Sequence, residues 1–189
     1  GFLRAMGIDG DLGTITIDME TSQASADEHH QVESAAEGKY TFTSDRMPFC
    51  ASGPIDRDNS IRSGTTLVPF HEDLNRFVLK VIGLKSKTAT VTWGENSKQF
   101  DADDLEKGIL LAKEFPVNPF TPTFDAVDQA VAEKQNYETH QIKSIFHGSE
   151  GKADIDAAIA KTEAERMPLA NKIKEAMKPV THTISIMAD

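Results

Sequence analysis

The sequence predicts an α+β chain, with a mostly antiparallel β unit over residues 10–100 and a helical unit over residues 101–189 that ends in a strand. Short stretches of alternating apolar residues, separated by polar turns that contain glycine, fill the first half of the chain. Apolar residues at helical spacing fill most of the second half, which is typical of a pair of long helices. The final residues alternate again, so the last strand is expected to return to the sheet.

The clearest strand signals form a β-meander that leads into a short helix. Residues 77–82 and 88–93 alternate, and they are rich in the β-branched and aromatic residues that strands favour. A turn at residues 94–96 separates the second strand from a short third strand at residues 97–100. Asp101 has the residue type of an N-cap, and a short helix is expected to follow it.

The stretch before this meander predicts shorter strands and one long loop. Strands are expected at residues 14–19, 31–34 and 39–44, where apolar and polar residues alternate. Residues 45–63 are rich in Pro, Gly, Ser and Asp, which predicts a loop. Residues 65–70 are expected to form an edge strand, because the proline within them cannot donate a hydrogen bond to a ladder.

A long amphipathic helix is predicted from residue 121 to residue 146. Thr121 is expected as its N-cap, with Pro122 at the first helical position. The predicted apolar stripe, spaced at helical steps, consists of Phe124, Val127, Val131, Ile142 and Ile145. This stripe is expected to pack on the β unit or on the last helix.

A second helix is predicted after residue 154, and a pattern typical of a helix N-terminus lies within it. Apolar residues at helical spacing begin at Ile155 and Ile159, whereas Thr162 and Glu165 have the spacing of a capping box. Pro168 lies too far inside to be the first residue of that helix, so a kink or a restart is expected there.

Charge and composition disfavour several classes of function. The chain carries 20 basic and 30 acidic side chains and a formal net charge of −10, which disfavours nucleic-acid phosphates and anionic membranes as partners. No apolar run reaches the roughly 18 residues that a membrane span needs. The single cysteine, Cys50, excludes an internal disulfide and is expected to be a buried thiol. No cofactor is predicted.

Several short segments form a recognisable set along the chain. They are LNRFVLKV at residues 74–81, VTWG at 91–94, NPF at 118–120, KQNYE at 134–138, FHG at 146–148 and THTISI at 181–186. A further pattern consists of Phe100, Leu105, Gly108, Ile109, Leu111 and Ala112. Together these segments resemble the C-terminal region of bacterial SGNH (GDSL-type) hydrolases, which are lipase- and esterase-like proteins. The resemblance covers most of the chain, and the matching motifs are structural rather than catalytic.

This resemblance implies a parent protein with a flavodoxin-like α/β catalytic domain. Its nucleophilic serine would lie in a GDS block and its catalytic histidine in a D-x-x-H block. Neither a GDS block nor a G-x-S-x-G elbow occurs in this chain. Residues 1–9 then correspond to the tail of a helix from a missing upstream SGNH domain, and the nucleophile is expected upstream of residue 1. The chain alone is expected not to be catalytic.

The implied function is that of a C-terminal accessory portion of an ester hydrolase, which completes or covers the active site of a catalytic domain absent from this chain. That catalytic domain is the expected partner, and the family implies a secreted or periplasmic location. The apolar cluster of Phe2, Leu3, Met6 and Ile8 also predicts self-association. The alternatives are a non-enzymatic glycan- or protein-binding module and an interaction module that uses the helical pair.

Asp27 and His30 form a D-x-x-H pattern within the chain. This spacing lets a carboxylate orient a catalytic histidine in hydrolases. Because no nucleophile block accompanies the pattern, we interpret it as a chance match in a solvated loop between strands. No catalytic residue is therefore assigned.

The six histidines do not form the spacings of a metal site. His140 and His147 would share one face of the long helix and would need ligands from elsewhere, so no metal site is predicted. Trp93 and Tyr137 would form a sugar-stacking platform under the glycan-binding interpretation. A lone tryptophan at a strand end more often packs in a core, and that is the expectation for Trp93.

Overall fold

The structure, a computed structural model, describes residues 5–36 and 38–189. The chain contains mostly antiparallel strands together with helices, which confirms the predicted α+β class. It divides into two compact units, Gly1–Thr121 with Pro179–Asp189 and Pro122–Lys178, called here the β unit and the helical unit. The helical unit therefore begins at residue 122 rather than at the predicted residue 101, because the intervening segment packs on a strand of the β unit.

The β unit contains the strands of the described chain. These are β1 Asp11–Asp18, β2 Gln23–Ala26, β3 His30–Ala36, β4 Lys39–Ser44, β5 Arg76–Ile82, β6 Thr88–Trp93, β7 Asn96–Asp101, β8 Ile109–Leu110 and β9 Val180–Ala188. Its short helices are α1 Ile61–Gly64, α2 Phe70–Leu74, α3 Ala102–Lys107 and α4 Leu111–Glu114.

The strands form two sheets. In the first sheet the order is β2-β1-β5-β8, and β1 pairs with β5 in parallel while the other pairs are antiparallel. In the second sheet the order is β3-β4-β9-β6-β7, and every pair is antiparallel. Because β9 lies at the centre of the second sheet, the predicted return of the last strand is confirmed.

A hydrophobic core lies between the inner faces of the two sheets. Alternation buries Phe77 and Leu79 on β5, and Val91 and Trp93 on β6. The rings of Phe77 and Trp93 meet edge to face, with their centroids 5.9 Å apart. Removing each such side chain from water contributes about 1.5–3 kcal/mol to folding. The expectation that Trp93 is a core residue is confirmed, and Cys50 is buried as expected.

The edge strand predicted at residues 65–70 is wrong. The N–H groups of Thr65 and Thr66 donate to carbonyls three residues earlier, which continues the helical turn of α1. The chain then enters α2 at Phe70, whose ring packs edge to face on Phe49 with centroids 5.3 Å apart. The proline in this segment precedes α2, where its missing N–H group costs no helical hydrogen bond.

The helix predicted after Asp101 is present but short. α3 begins directly after Asp101, whose carboxylate makes no capping hydrogen bond. It ends at Gly108, where φ is 109°, and the chain then forms β8 before α4. A side chain at Gly108 would place its Cβ 2.8 Å from Val78, so only glycine fits this turn.

The helical unit consists of two long helices and the segments that connect them. These are α5 Thr121–His140, a π-helical segment Gln141–Phe146, α6 Ser149–Ala153 and α7 Ile155–Ala176. The helix predicted over residues 121–146 is continuous, but its last turns are π-helical. Ile142 of the predicted stripe is exposed, because the wider π turn places Gln141 rather than Ile142 in the interior.

The helix start predicted at Thr162 is wrong. α7 begins at Ile155, with Asp154 as its N-cap and its carboxylate accepting the N–H of Ala157 at 3.0 Å. Thr162 lies inside α7, fully buried, and its hydroxyl donates to the carbonyl of Ala158 at 2.8 Å. α7 continues through Pro168 as one helix. None of the described helices is long and apolar enough to cross a membrane.

Candidate functional site

Asp27 and His30 lie at the turn that connects β2 of the first sheet to β3 of the second sheet. The N–H of His30 donates to the carbonyl of Asp27 at 2.9 Å, which closes the turn. The carboxylate of Asp27 accepts the N–H of Thr14 at 2.6 Å and so fixes the turn to β1. The D-x-x-H spacing is therefore the spacing of a turn between two sheets.

The expectation of a solvated loop at this place is wrong for His30. Its side chain is buried between the sheets, and its ring stacks on Phe77 with centroids 4.7 Å apart. The Nε2 atom of His30 lies 2.6 Å from the carbonyl oxygen of Leu12 on β1. This approach requires Gly13, where a Cβ would lie 2.6 Å from that nitrogen.

His30 belongs to a buried cluster that local sequence spacing does not predict. Its Nδ1 atom lies 2.7 Å from the hydroxyl of Ser44 on β4. The same hydroxyl lies 2.9 Å from Nε2 of His182 on β9, and Nδ1 of His182 accepts the indole N–H of Trp93 at 3.1 Å. We call His30, Ser44, Trp93 and His182 the buried cluster.

The two ends of the buried cluster determine where its protons lie. The indole of Trp93 can only donate, so Nδ1 of a neutral His182 accepts and its proton lies on Nε2. His182 therefore donates to Ser44, and Ser44 donates to Nδ1 of His30. His30 then carries its proton on Nε2, which donates to the carbonyl of Leu12. Each ring nitrogen and the hydroxyl thus has a partner when both imidazoles are neutral.

Burial keeps both imidazoles neutral at pH 7. Burial, together with a smaller contribution from the nearby His30, lowers the pKa of His182 to about 3. Burial also lowers the pKa of His30, while the hydrogen bond to Leu12 and the carboxylate of Asp27 act in the opposite direction. Protonating either ring would also destroy an acceptor that a neighbouring donor uses.

The buried cluster has the atoms of a nucleophile and a base, but not the access that catalysis needs. A serine hydroxyl within hydrogen-bond distance of an imidazole is the arrangement of serine hydrolases. Ser44 is 0% exposed, and His30 and His182 are 2% and 3% exposed. A substrate carbonyl therefore cannot reach the hydroxyl, and the arrangement is suited to connecting the two sheets.

Ser44 and His182 left one signal in the sequence. Ser44 lies on the same inward face of β4 as the buried Tyr40 and Phe42. His182 lies on the same inward face of β9 as the buried Ile184 and Ile186. A polar residue on the buried face of an alternating strand needs a hydrogen-bond partner in the core. The strand pairing that supplies this partner is not encoded locally.

Three lysines line a groove of about 460 Å³ beside β8. Each lysine forms an ion pair with a carboxylate, and the pairs are Lys98 with Glu114, Lys107 with Asp104 and Lys113 with Glu72. The carboxylates neutralise the positive charge at short range, so this groove is a weak candidate for an anion site.

The outer face of the second sheet is rich in hydroxyl groups. A depression of about 510 Å³ lies over it, and Lys39 is at its edge. The hydroxyls of Thr41 and Thr183 lie 3.0 Å apart, as do those of Thr43 and Thr181. We call the outward threonines and serines of β4, β6 and β9 the hydroxyl face.

The remaining sequence candidates do not come together. His140 and His147 are exposed, and among residues 5–36 and 38–189 no group of three or more His, Cys, Asp or Glu side chains is arranged to hold a metal. Trp93 is fully buried and cannot stack on a sugar. Within the helical unit, the hydroxyl of Tyr137 lies 2.9 Å from a carboxylate oxygen of Glu165 and 3.1 Å from the carbonyl oxygen of Thr162, so its single proton has two acceptors within reach.

Comparison with known proteins gives the fold and not the activity. No protein-family model matches the chain. No curated protein matches it either. A solved structure described as a gut microbial diltiazem-metabolizing enzyme has a similar fold over 100% of this chain and 52% of its own, with a TM-score of 0.70 and 21% sequence identity. The chain thus spans about half the length of that enzyme.

Proposed function

We propose that this chain is the C-terminal accessory portion of an SGNH-type ester hydrolase, and that it completes or covers the active site of a separate catalytic domain. The observation that carries the proposal is the match of the whole chain to about half of a metabolizing enzyme. The buried cluster supports it, because the serine–histidine pair of this chain is inaccessible to a substrate. Esters of carboxylic acids or of carbohydrates are the proposed substrates.

The segments that resemble SGNH hydrolases act structurally in this chain. In the segment LNRFVLKV, the amide of Asn75 accepts the N–H of Phe49 at 2.8 Å and donates to its carbonyl at 3.1 Å. In the segment NPF, the amide of Asn118 donates to the carbonyl of Phe115 at 2.9 Å and accepts the N–H of Phe120 at 2.9 Å. Both asparagines fix loops against the core, which fits an accessory portion with a defined shape.

The test compares this chain with a longer protein, which is expressed from the same reading frame extended upstream of residue 1. We expect the longer protein to hydrolyse p-nitrophenyl acetate and to react with a fluorophosphonate, which labels activated serines. Peptide mapping should place the label upstream of residue 1, in a GDS block. An upstream frame without such a block, or a label on a serine of this chain, would contradict the proposal.

The hydroxyl face favours a glycan-binding module as the second candidate. Its depression is lined mainly by hydroxyl-bearing side chains, which suit hydrogen bonds to the hydroxyls of a neutral polysaccharide. Retardation of the chain in native gels that contain a neutral polysaccharide would support this candidate. Replacing Thr41 and Thr183 by Val should then abolish the retardation, whereas equal mobility with and without polysaccharide would exclude it.

A further inference from the structure

Residues 51–69 form a loop that contains several hydrogen bonds of its own. We call this segment the apolar loop. The hydroxyl of Ser60 donates to the carbonyl of Pro54 at 2.6 Å and accepts the N–H of Ser63 at 3.0 Å, which caps α1. The guanidinium of Arg62 donates to the carbonyl of Ala51 at 3.0 Å. Long loops that are ordered in this way commonly carry a function.

The apolar loop presents aliphatic side chains to solvent. Leu67 is 83% exposed and Ile55 is 65% exposed, and Val68 and Ile61 are also exposed. These aliphatic side chains are therefore not used by the core, and they lie on a loop with internal hydrogen bonds. Ordering a loop before it binds reduces the entropy cost of binding, so this arrangement favours a docking surface.

A second exposed apolar segment lies at the same end of the β unit. The apolar loop leads directly into α2, and the backbone of Gly10 contacts Asp73 and Leu74 of that helix. Two residues before Gly10, Ile8 is exposed, as is Met6. The self-association predicted from Phe2, Leu3, Met6 and Ile8 is untested, and Phe2 and Leu3 lie outside the described residues.

The charge of the apolar loop differs from that of the whole chain. Residues 51–69 contain two acidic residues, Asp56 and Asp58, and two basic residues, Arg57 and Arg62, so their net charge is zero. The chain as a whole carries −10. A neutral apolar surface on a strongly acidic chain suits burial against another folded domain. It does not suit a polyanion or a membrane surface, which basic residues attract.

We infer that the apolar loop, together with Met6 and Ile8, is the surface on which the catalytic domain of the same protein docks. This inference rests on the proposed function. In the similar enzyme, about half of the chain lies outside the part that matches, which is enough length for a further domain. Leu67 and Val68, which are exposed in this chain, contribute apolar contacts to that domain.

The rate at which a maleimide labels an introduced cysteine tests whether the apolar loop is covered, in this chain and in the longer protein. Leu67→Cys is compared with Val117→Cys, a matched control whose exposed side chain lies on the segment after α4. Cys50 is buried, so its own reaction with the label is expected to be slow, and labelling of the unchanged protein measures this background rate. In the 189-residue chain, both new thiols should react with a maleimide at similar rates.

In the longer protein, reaction at Leu67→Cys should slow by about tenfold or more, whereas reaction at Val117→Cys should change by less than about twofold. Equal rates at Leu67→Cys in the two proteins would overturn the docking surface. Slower labelling of the 189-residue chain itself at high concentration would also overturn it, because a second copy would then cover the loop.

Ester hydrolysis by the same preparations separates the two claims. An active longer protein with a fully reactive Leu67→Cys overturns the docking surface alone. A longer protein that protects Leu67→Cys but hydrolyses no p-nitrophenyl ester overturns the proposed function, and with it the identity of the docked domain. Protection combined with hydrolysis supports both claims.

Discussion

His182 stands on the inward face of β9, between Thr181 and Thr183 of the hydroxyl face. A buried imidazole is costly unless both of its nitrogens have partners. Trp93 and Ser44 supply these partners, and the hydroxyl of Ser44 in turn donates to Nδ1 of His30. The consequence is a continuous set of hydrogen bonds from the second sheet to the first.

Ser44 is the residue whose loss should disturb this set most. In Ser44→Ala, His182 keeps a buried donor without an acceptor and His30 keeps a buried acceptor without a donor. Each of the two unsatisfied groups costs about 1–3 kcal/mol, so urea unfolding should show a total loss of about 2–6 kcal/mol. The matched control, Thr43→Ala, removes an outward hydroxyl from the same strand and should cost less than about 1 kcal/mol. Equal losses for the two variants would contradict the role assigned to Ser44.

The free energy of unfolding should fall as the pH falls below about 6.5. An unfolded histidine takes up a proton near that pH, whereas burial lowers the pKa of folded His182 to about 3 and also lowers that of His30. As the pH falls, protons therefore bind the unfolded chain before they bind the folded chain. The free energy of unfolding that depends on neutral His182 is lost progressively between about pH 6.5 and pH 3. At pH 3 the loss from His182 alone should be on the order of 4 kcal/mol.

His182→Gln is the control for this pH dependence. Burial also lowers the pKa of His71, which acts with the same sign, so the variant isolates one group. Between pH 6 and pH 5 the slope of unfolding free energy against pH should decrease by about 1.4 kcal/mol per pH unit. Carboxylates with lowered pKa act mainly below about pH 4.5 and leave this window clear. An unchanged slope would show that His182 does not remain neutral in the fold.

At the scale of elements, the helical unit buries small and polar residues instead of large apolar ones. Ala130, Gln141, Ala158 and Thr162 are its buried residues among those described. The amide of Gln141, in the π-helical segment, donates to the hydroxyl of Thr162 at 2.8 Å. Small residues allow the helices to approach closely, and this buried hydrogen bond connects the π-helical segment to α7.

Gln141 and Thr162 should therefore be energetically coupled. Thr162→Val leaves the amide of Gln141 without its acceptor, and Gln141→Leu leaves the hydroxyl without that donor, so each change should cost about 1–3 kcal/mol. The double variant should cost less than the sum of the two, because no unsatisfied group remains from the pair. Amide hydrogen exchange of residues 122–178 measures the three values. Additive losses would contradict the coupling.

The sequence predicts strands well where one face is apolar. β5 and β6 alternate over their whole length, and their positions agree with the predicted residues 77–82 and 88–93. β2 escapes prediction because QASA is small and polar, and only pairing with β1 makes it a strand. Thr162 gives a false start because its capping box matches by residue type, while Asp154 lies at the actual helix start.

The candidate site could be predicted only in part, for a physical reason. His30 draws attention through its spacing from Asp27, which is a local feature. Its partners Ser44 and His182 come from β4 and β9, and their pairing joins residues far apart in sequence. Long-range register decides which polar groups meet, and local spacing does not contain it.

At the scale of the whole molecule, the β unit holds the groups of hydrolase chemistry where a substrate cannot reach them. Serine and histidine are present in hydrogen-bond contact, yet they lie between two sheets. The central claim is that Ser44 and His30 stabilise the fold and that catalysis belongs to another domain.

Hydrolysis of p-nitrophenyl acetate by the 189-residue chain tests this claim most directly. We expect a rate equal to that of buffer, because catalysis needs an accessible nucleophile together with its base and oxyanion donors. Ser44→Ala and His30→Ala are measured alongside, with circular dichroism to establish that each variant is folded. Turnover by the unchanged chain that disappears in either folded variant would contradict the claim and would make the buried cluster an active site.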